Sequence, residues 1–304
     1  MSETKETTRC GFVAILGAPN AGKSTLMNHL LGIKLAAVSP KAQTTRSRIR
    51  GVLTEGTGQI IFIDTPGIFK PNKRLDRAMV RAAWHEEQDA DIRLLIMDVS
   101  RGKIDPHTLP IIEQIREHKT PRVWLLLNKI DKIDRQKLLP LAAECEALGI
   151  FENILMIAAK MDDGLADLKN KLLAAIPEGP WHYPEDQLTD LSERLIAAEL
   201  TREQLYHKLG AELPYASTVV TDAWETFRDG SVKISQTVLV ERIQQKAIVV
   251  GAKGQKIKDI REAAQAEITE LLGKPVHLFL FVKVAERWQE DPEHYENWGL
   301  EFKS

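Results

Sequence analysis

A short segment near the start of the chain has the composition of a phosphate-binding loop. Residues 17–24 read GAPNAGKS, which fits GxxxxGK[ST], and they follow an apolar run and open a helical pattern. Glycines let backbone N–H groups surround phosphate oxygens, and a helix N-terminus favours an anion. The residues that we predict to bind a nucleotide here are Gly17, Ala18, Pro19, Asn20, Ala21, Gly22, Lys23, Ser24 and Thr25.

Two further motifs complete a nucleotide site. Asp64-Thr65-Pro66-Gly67 follows the apolar run 60–63. We predict that Ser24 and Asp64 bind Mg²⁺, that Lys23 reaches the β- and γ-phosphates, and that the Gly67 N–H senses the γ-phosphate. The third motif is Asn128-Lys129-Ile130-Asp131, again after an apolar run.

The third motif carries the base specificity. A carboxylate such as Asp131 accepts hydrogen bonds from the N1–H and the exocyclic amine of guanine, whereas adenine presents an acceptor at N1. Lys129 can lie over the nucleotide and Asn128 can brace the loop. In this order along the chain, the motifs predict GTP rather than ATP as the ligand.

These motifs resemble those of the translation-factor-related GTPases, and the resemblance identifies two weaker elements. It implies that Gln43-Thr44-Thr45-Arg46 is the first switch, with Thr45 closing on Mg²⁺ in the GTP state. It also implies that Ala158-Ala159-Lys160 contacts guanine, with the Ala159 N–H meeting O6. Ala158 departs from the serine usual there and removes a hydroxyl that would brace the loop.

Hydrolysis is expected to be slow. Ras-like enzymes use a glutamine after the DxxG glycine to orient the attacking water, and this chain has Ile68 there. Asn20 matches a residue that binds K⁺ in several related GTPases, where the cation stabilises developing charge. The alternative, that Asn20 only supports the loop, stays open. The predicted catalytic residues are Lys23, Asn20, Thr45 and Gly67.

The elements that must position these motifs form an alternating pattern. Apolar runs at 12–16, 48–53, 60–63, 94–99, 123–127 and 154–157 predict strands, and helical patterns lie near 23–31, 75–87, 108–118, 136–148 and 165–175. Such alternation predicts an α/β, doubly wound, mainly parallel sheet. We assign residues 1–178 to this P-loop GTPase domain.

A different order follows a Pro/Gly-rich stretch. We predict a linker at 179–187, packed on a domain, and then a smaller α+β domain at 188–304. Its pattern is a helix near 188–209, strands near 217–227, 232–241 and 276–284, and helices flanking Gly251-Ala252-Lys253-Gly254. A GxxG in this setting resembles the type II KH module, whose loop clamps single-stranded nucleic acid.

That resemblance implies a set of RNA contacts. Lysines near the loop would meet phosphates, and Ile248 and Val249 would meet unstacked bases. The predicted RNA-binding residues are Lys246, Ile248, Val249, Gly251, Ala252, Lys253, Gly254, Lys256 and Lys258.

Taken over its whole length, the chain resembles bacterial ribosome-assembly GTPases that join these two domains. The resemblance implies binding near the 3′ end of small-subunit ribosomal RNA and a role in small-subunit maturation. It also implies peripheral membrane association, although the tail 288–302 is acidic and aromatic and poorly suited to anionic lipid.

Composition limits the remaining options. The 304 residues carry a net charge of -2, so any contact with nucleic acid must come from a local basic surface. Cys10 and Cys145 lack metal or redox spacing, which favours reduced thiols. The N-terminus has no apolar signal core, and no run reaches the roughly 18 apolar residues of a membrane span. We expect a cytoplasmic monomer.

Three functions fit the sequence, and we prefer a nucleotide-controlled RNA-binding switch. A second is a signalling or membrane-associated GTPase whose second domain binds protein. The third, a constitutive RNA-binding scaffold with a structural nucleotide, is disfavoured because the machinery around the γ-phosphate is complete except for the missing glutamine.

Overall fold

The structure is a computed structural model, which describes residues 7–39, 41, 49–65, 67–68, 74–210 and 212–302. The chain divides into two compact units. As far as they are described, residues 1–32, 45–190 and 299–304 form the first, and residues 33–44 and 191–298 form the second. No helix in the described ranges is long and apolar enough to cross a membrane.

The first unit contains the predicted alternation of strands and helices. The strands are β1 (Arg9–Gly17), β2 (Ile49–Glu55), β3 (Gly58–Asp64), β4 (Ile92–Asp98), β5 (Val123–Asn128) and β6 (Asn153–Ile157). The helices are α1 (Lys23–Leu31), α2 (Arg74–Gln88), α3 (Leu109–His118), α4 (Arg135–Glu146) and α5 (Leu165–Ala175).

These strands form one six-stranded sheet in the order β2-β3-β1-β4-β5-β6. Every pairing is parallel except that of β2 with β3. All residues of β3 and β5 are buried, as expected of strands in a sheet that is covered on both faces. The predicted doubly wound, mainly parallel sheet is confirmed.

The carboxyl ends of the strands bring the motifs to one edge of this sheet. Gly17, Asp64 and Asn128 are the last residues of β1, β3 and β5. In open α/β sheets ligands bind outside this edge. The fold therefore supplies the place that the three motifs require.

The Pro/Gly-rich stretch is fixed to the first unit. Gln59, fully buried in β3, accepts the backbone N–H groups of His182 (2.9 Å) and Tyr183 (3.0 Å) through Oε1. Its Nε2 donates to the Tyr183 carbonyl at 2.8 Å, and Trp181 Nε1 donates to the carbonyl of Thr57 at 3.1 Å. The segment is a packed connection, not a loose tether.

The second unit is built around a three-stranded sheet in the order β7-β8-β9. Its elements are α6 (Glu193–Lys208), β7 (Ser217–Thr226), β8 (Val232–Val240), α7 (Ile243–Val250), α8 (Gln255–Leu272), β9 (Val276–Val284) and α9 (Pro292–Asn297). β7 runs antiparallel to β8, and β9 runs parallel to it. One face of the sheet meets α6, α7 and α8 in an apolar core.

The predicted helix at 188–209 was wrong at its start. The carbonyl of Leu188 accepts the backbone N–H of Val52 at 2.8 Å, and Thr189 forms a bridge with Gly51. These pairings hold the chain extended beside β2. α6 begins after Ser192, whose hydroxyl accepts the N–H of Leu195 at 3.3 Å as an N-cap.

Helix α6 is buried along most of its length and carries polar groups into the core. Arg202 is 1% exposed and is paired with Glu199, through Nε at 3.0 Å and through Nη2. Thr201 donates to Gln236 of β8 at 2.6 Å. Burial alone would lower the pKa of Arg202, but the charge of Glu199 raises it. Arg202 therefore stays charged inside the unit, with Glu199 as its ion-pair partner.

A segment that precedes β2 in the chain belongs to this second unit. Lys34 forms ion pairs with Glu203 of α6 (2.9 Å) and Glu267 of α8 (3.0 Å). Lys41 donates to the carbonyls of Tyr206, at 2.6 Å, and Leu209. Burial alone would lower the pKa of Lys34, but the two carboxylates raise it.

Candidate functional site

The phosphate-binding loop connects β1 to α1. Glycine is required in this loop for two reasons, the lack of room for a Cβ atom and a positive φ angle. Gly22 has φ of 111°, and a Cβ there would lie 2.4 Å from Nδ2 of Asn128. A side chain at this position would separate the loop from the guanine motif.

Lys23 points into this loop. Its Nζ is 3.1 Å from the carbonyl oxygens of both Gly17 and Ala18, and the residue is 6% exposed. Burial lowers the pKa of Lys23 to about 8, and the charge of Asp64 acts in the opposite direction. A polyanion in the loop would supply the charge that favours the ammonium.

Two of the three predicted metal ligands, Ser24 and Asp64, lie side by side. Ser24 Oγ donates to Asp64 Oδ2 at 2.7 Å, and Asp64 is fully buried at the end of β3. A hydroxyl and a carboxylate are hard oxygen donors, which is the ligand class that Mg²⁺ prefers. The residues therefore fit Mg²⁺, supplemented by phosphate oxygens and water.

The DxxG turn lies against the phosphate-binding loop. The Ile68 N–H donates to the Gly17 carbonyl at 3.2 Å, and a Cβ on Gly67 would lie 3.1 Å from the backbone nitrogen of Pro19. The Ile68 side chain is 7% exposed and packs in the apolar core. It therefore cannot orient a water molecule, as its residue type predicts.

Asn128 joins the guanine motif to two other loops. Its Nδ2 donates to the Ala21 carbonyl at 2.8 Å, and its Oδ1 accepts the N–H of Ala159 at 3.1 Å. The contact of the Ala159 N–H with guanine O6, which the resemblance implies, stays a prediction. Asp131 and Lys160, the two charged groups predicted beside the base, are both exposed.

Lys129 is held by two acceptors. Its Nζ donates to the carbonyl of Asn20 at 2.8 Å and to Asp98 Oδ2 at 2.5 Å. Asn20 adopts φ of 64°, a left-handed conformation that asparagine tolerates better than most residues. The lysine stem is thereby kept alongside the phosphate-binding loop.

Asp98 is a site residue that the sequence analysis missed. It ends β4 and pairs in register with Asn128 of β5. Although burial alone would raise its pKa, hydrogen bonds from Lys129 and Ser100 lower it. A carboxylate at the end of a strand was the available signal, the same one that identified Asp64.

One predicted site residue lies outside the described residues. Thr45, with the rest of the predicted first switch at 43–46, belongs to the range 42–48, which the structure leaves undescribed.

The GxxG loop connects α7 to α8. Gly251 (φ 73°), Lys253 (φ 52°) and Gly254 (φ 77°) have positive φ, which turns the chain within one 3₁₀ turn. Gly254 faces open space, since a Cβ there would meet nothing within 4 Å. Ala252 and Lys253 are exposed, so a backbone could approach the loop closely.

The flanking helices present part of the predicted RNA-binding set. Ile248 is 51% exposed, and Lys258 is exposed on α8. Of the other lysines, Lys246 on α7 and Lys256 on α8 are both half-buried.

The prediction that Val249 meets RNA bases was wrong. The residue is fully buried and packs in the core of the second unit with Val238 and Ile260. Adjacent residues of a helix point about 100° apart, so Ile248 and Val249 cannot both face solvent.

Two family models match the chain. A model described as 50S ribosome-binding GTPase matches residues 12–129, and a KH domain model matches residues 212–289. The matched ranges contain the phosphate-binding loop and the GxxG loop.

Curated relatives match nearly the whole chain. GTPase Era of Brucella suis is 51% identical over 301 residues, covering 99% of this chain and 96% of the relative. GTPase Era of Rhizobium meliloti is 52% identical over 295 residues, covering 97% of this chain and 94% of the relative.

Solved structures match over the same extent. A point variant of Aquifex aeolicus Era bound to GDP·AlF4⁻ has a TM-score of 0.90 at 37% identity, covering 96% of this chain and 99% of that chain. Era in complex with MgGDPNP and nucleotides 1506–1542 of 16S ribosomal RNA matches with the same TM-score, identity and coverage.

Proposed function

This chain belongs to the Era family of GTPases, and from that premise we propose that its two nucleotide states control its binding of ribosomal RNA. The reaction is hydrolysis of GTP to GDP and phosphate. The RNA is single-stranded and lies near the 3′ end of small-subunit ribosomal RNA, and binding assists maturation of the small subunit. The observation that carries this proposal is the likeness, over 96% of this chain, to an Era complex that holds a GTP analogue and 16S ribosomal RNA.

The nucleotide half of the proposal assigns a role to each motif. Lys23 neutralises the β- and γ-phosphates, and Ser24 and Asp64 hold Mg²⁺ between them and the phosphate oxygens. The metal supplies charge neutralisation as the bond to the γ-phosphate breaks. Asp131 accepts the N1–H and amine of guanine, and Thr45 and Gly67 respond to the γ-phosphate.

Catalysis must proceed without the usual glutamine. Because the Ile68 side chain is buried, water must be oriented by another group. We assign charge stabilisation to K⁺ bound beside Asn20, an exposed residue in the middle of the phosphate-binding loop. Turnover should be faster in potassium than in sodium buffer, and Asn20→Ala should remove that difference. Equal turnover in the two salts would exclude the role of potassium.

The RNA half depends on the GxxG loop. Its positive φ angles and exposed residues leave the backbone open to a sugar-phosphate chain. Lys253 lies at the tip and Lys258 follows on α8, so both can contact phosphates. Ile248, on the α7 side, offers an apolar surface to an unstacked base.

The family descriptions name two ribosomal subunits. The GTPase family model is named for binding to the 50S ribosomal subunit. The Era complex, in contrast, contains 16S ribosomal RNA, which belongs to the small subunit. The complex matches 96% of this chain, and the family model matches residues 12–129 alone. We therefore assign the small ribosomal subunit as the partner. We place the protein in the cytoplasm as a monomer, with at most peripheral contact to a membrane.

The test is an RNA titration in two nucleotide states. Fluorescently labelled single-stranded RNA that copies the 3′ end of small-subunit ribosomal RNA is titrated with the protein bound to GDP or to a non-hydrolysable GTP analogue, at fixed salt. We expect tighter binding in the GTP form and weak binding of a scrambled RNA. Equal, weak binding of both RNAs in both states would leave the GTPase standing and refute the RNA switch.

A variant of the loop separates the two halves. Lys253→Asp reverses the charge at the tip, and aspartate tolerates the left-handed conformation found there. RNA affinity should fall while GTP affinity stays unchanged. Unchanged RNA affinity would favour a second unit that binds protein.

A further inference from the structure

The sheet of the second unit exposes two phenylalanines on the face opposite the helices. Phe279 is 47% exposed and Phe281 is 58% exposed, whereas Leu278, just before them, is buried against the core. The two occupy alternate positions of β9, so their rings leave the same face with Cα atoms about 7 Å apart. A single strand of bases could place one base on each ring.

Cationic groups flank this pair. The outward-facing residues of β9 are, in order, His277, Phe279, Phe281 and Lys283. Lys233 of β8 lies with Nζ 6.0 Å from the ring centroid of Phe279. We call these five residues the β9 surface. β9 contains no carboxylate.

Two nearby carboxylates lie on β7, at the other edge of the sheet, and two more, Glu286 and Asp291, follow β9 at its Lys283 end. Glu225 pairs with Lys233 at 3.2 Å, and Asp222 accepts a hydrogen bond from the Thr237 hydroxyl at 2.7 Å. Between β7 and β9, strand β8 presents Ser235 opposite Phe279 and Thr237 opposite Phe281. The outward face of β9 itself therefore carries no carboxylate, and the residues of β8 opposite the two rings carry hydroxyls.

A cavity lies at the Lys283 end of this surface. Its volume is about 410 Å³, within the range of small-molecule sites. Residues that line it include Lys283, Arg287, Thr237, Asp222, Trp288 and His294. The lining also includes the carboxylates of Glu286 and Asp291, so phosphate contact is limited to Lys283 and Arg287, and a carboxylate such as Asp222 can accept a hydrogen bond from the exocyclic amine of a base. The cavity has the groups that a nucleotide requires.

We propose that the β9 surface and this cavity form a second site for single-stranded RNA, separate from the GxxG loop. Two successive bases stack on Phe279 and Phe281, as bases stack on aromatic side chains of other RNA-binding sheets. Lys233 and Lys283 contact the backbone, and the next nucleotide enters the cavity. The inference rests on the proposed RNA-binding function and extends it to a longer stretch of RNA.

A protein partner is the alternative occupant of an exposed aromatic pair. The arrangement favours RNA because a lysine lies near each ring, Lys233 of β8 beside Phe279 and Lys283 of β9 two residues after Phe281. The spacing of the rings also matches consecutive bases, and a nucleotide-sized cavity continues the same line.

The experiment compares two RNA lengths on the full chain. The 3′-end ribosomal RNA is prepared as oligomers of about 5 nucleotides, enough for the loop clamp, and about 12 nucleotides. Phe279→Thr/Phe281→Thr removes both rings and retains residues that strands favour. The affinity of this double variant for the long oligomer should fall about 5-fold or more for each ring removed. Its affinity for the short oligomer should equal that of the wild type.

Two further readouts identify stacking and phosphate contact. A 2-aminopurine placed in the outer half of the long oligomer should be quenched by the wild-type protein and not by the double variant. Lys283→Gln should reduce the slope of log affinity against log salt by about 0.7 for the long oligomer. Phe227→Thr is the matched control, because Phe227 is 45% exposed in the same unit and should change neither readout.

The outcomes separate this proposal from the proposed function. One outcome is that Lys253→Asp lowers the affinity for both oligomers equally and that the double phenylalanine variant binds both like the wild type. This outcome would overturn the β9 surface and leave the GxxG clamp intact. Long-oligomer binding that depends on the phenylalanines alone would support the β9 surface and refute the clamp. If the wild type binds neither oligomer, both fail. If the double variant binds RNA normally but loses small-subunit binding, the surface is a protein site and the proposal is overturned.

Discussion

At the scale of single residues, the nucleotide site depends on a carboxylate outside the recognised motifs. Asp98 binds the ammonium of Lys129 at 2.5 Å, and Lys129 also donates to the Asn20 carbonyl. The base-binding loop and the phosphate-binding loop are therefore joined through one lysine whose position Asp98 fixes. Asp98 acts through Lys129, so it is a positioning residue.

Replacement of Asp98 by asparagine should weaken guanine nucleotide binding. Loss of a charged hydrogen bond of this kind costs about 1.5–3 kcal/mol, so we expect GDP affinity to fall about 10-fold or more. Asp167→Asn, which removes the exposed partner of Lys171, is the control and should leave affinity unchanged. Calorimetric titration with GDP measures both. Wild-type affinity in Asp98→Asn would show that Lys129 is positioned without it.

The Asp98 contact also has a defined pH dependence. The folded pKa of Asp98 is lowered below the ordinary 3.8. The contribution of the contact to stability is therefore fully present above the ordinary value and is lost only as pH falls through the lowered one.

Cys145 should be unreactive in the native protein. The residue is fully buried, and burial, with Glu144 nearby, raises the pKa of its thiol to about 11. The thiolate is the reactive form, so iodoacetamide at about pH 8 should modify Cys145 in urea and not in the folded protein. Mass spectrometry of the alkylated peptide measures this. Equal rates in the two conditions would show that the segment opens readily.

At the scale of elements, α6 shows how a helix can be buried on nearly all sides. Polar residue types such as those of Glu199, Thr201 and Arg202 are usually exposed to solvent, yet all three are buried. Each has a partner within the unit: Arg202 pairs with Glu199, and Thr201 donates to Gln236. The tertiary contacts reverse the burial that the residue types suggest.

Breaking the pair in α6 should destabilise the second unit. Arg202→Met leaves the Glu199 carboxylate buried and alone, at a cost of about 3–5 kcal/mol. Arg202→Met/Glu199→Leu should recover most of that loss, since both charges are gone. Lys171→Met, at an exposed pair of α5, should cost at most about 1 kcal/mol. Amide hydrogen exchange measures the opening free energy, of α6 for the two Arg202 variants and of α5 for the Lys171 control. A double variant as unstable as the single one would show that the pair itself is required.

At the scale of the whole molecule, chain order and spatial grouping differ. Residues 33–44 lie in sequence between the phosphate-binding helix and β2, yet they group with the second unit, where Lys34 pairs with Glu203 and Glu267. The predicted switch residue Thr45 follows this segment directly in the chain. The predicted GTP-responsive element is thus continuous in sequence with a segment of the second unit.

Nucleotide and RNA binding should be reciprocally linked. If the GTP form binds RNA more tightly by some factor, RNA must raise affinity for the GTP analogue over GDP by the same factor. Lys34→Met removes both ion pairs and should reduce this factor while leaving GDP affinity unchanged. Fluorescent nucleotide titrations with and without the RNA oligomer measure it. An unchanged factor in Lys34→Met would exclude these ion pairs from the coupling.

The sequence by itself determined the elements and the chemistry of the first unit. Helices α1 and α5 were predicted to the residue, because apolar periodicity, Gly and Pro act locally along the chain. The motifs that contain Gly17, Asp64 and Asn128 were each placed at the end of a predicted strand, and parallel strands end at the same edge of a sheet. The GxxG turn followed from glycine's access to positive φ.

Only the tertiary structure decided the contacts between residues distant in sequence. It assigned the Ala159 N–H to Asn128, the carboxylate of Asp98 to Lys129, and Val249 to the core. It also started α6 at Glu193, because the residues before it pair with β2. Hydrogen-bond satisfaction and burial depend on which elements pack together, and no local pattern contains that information.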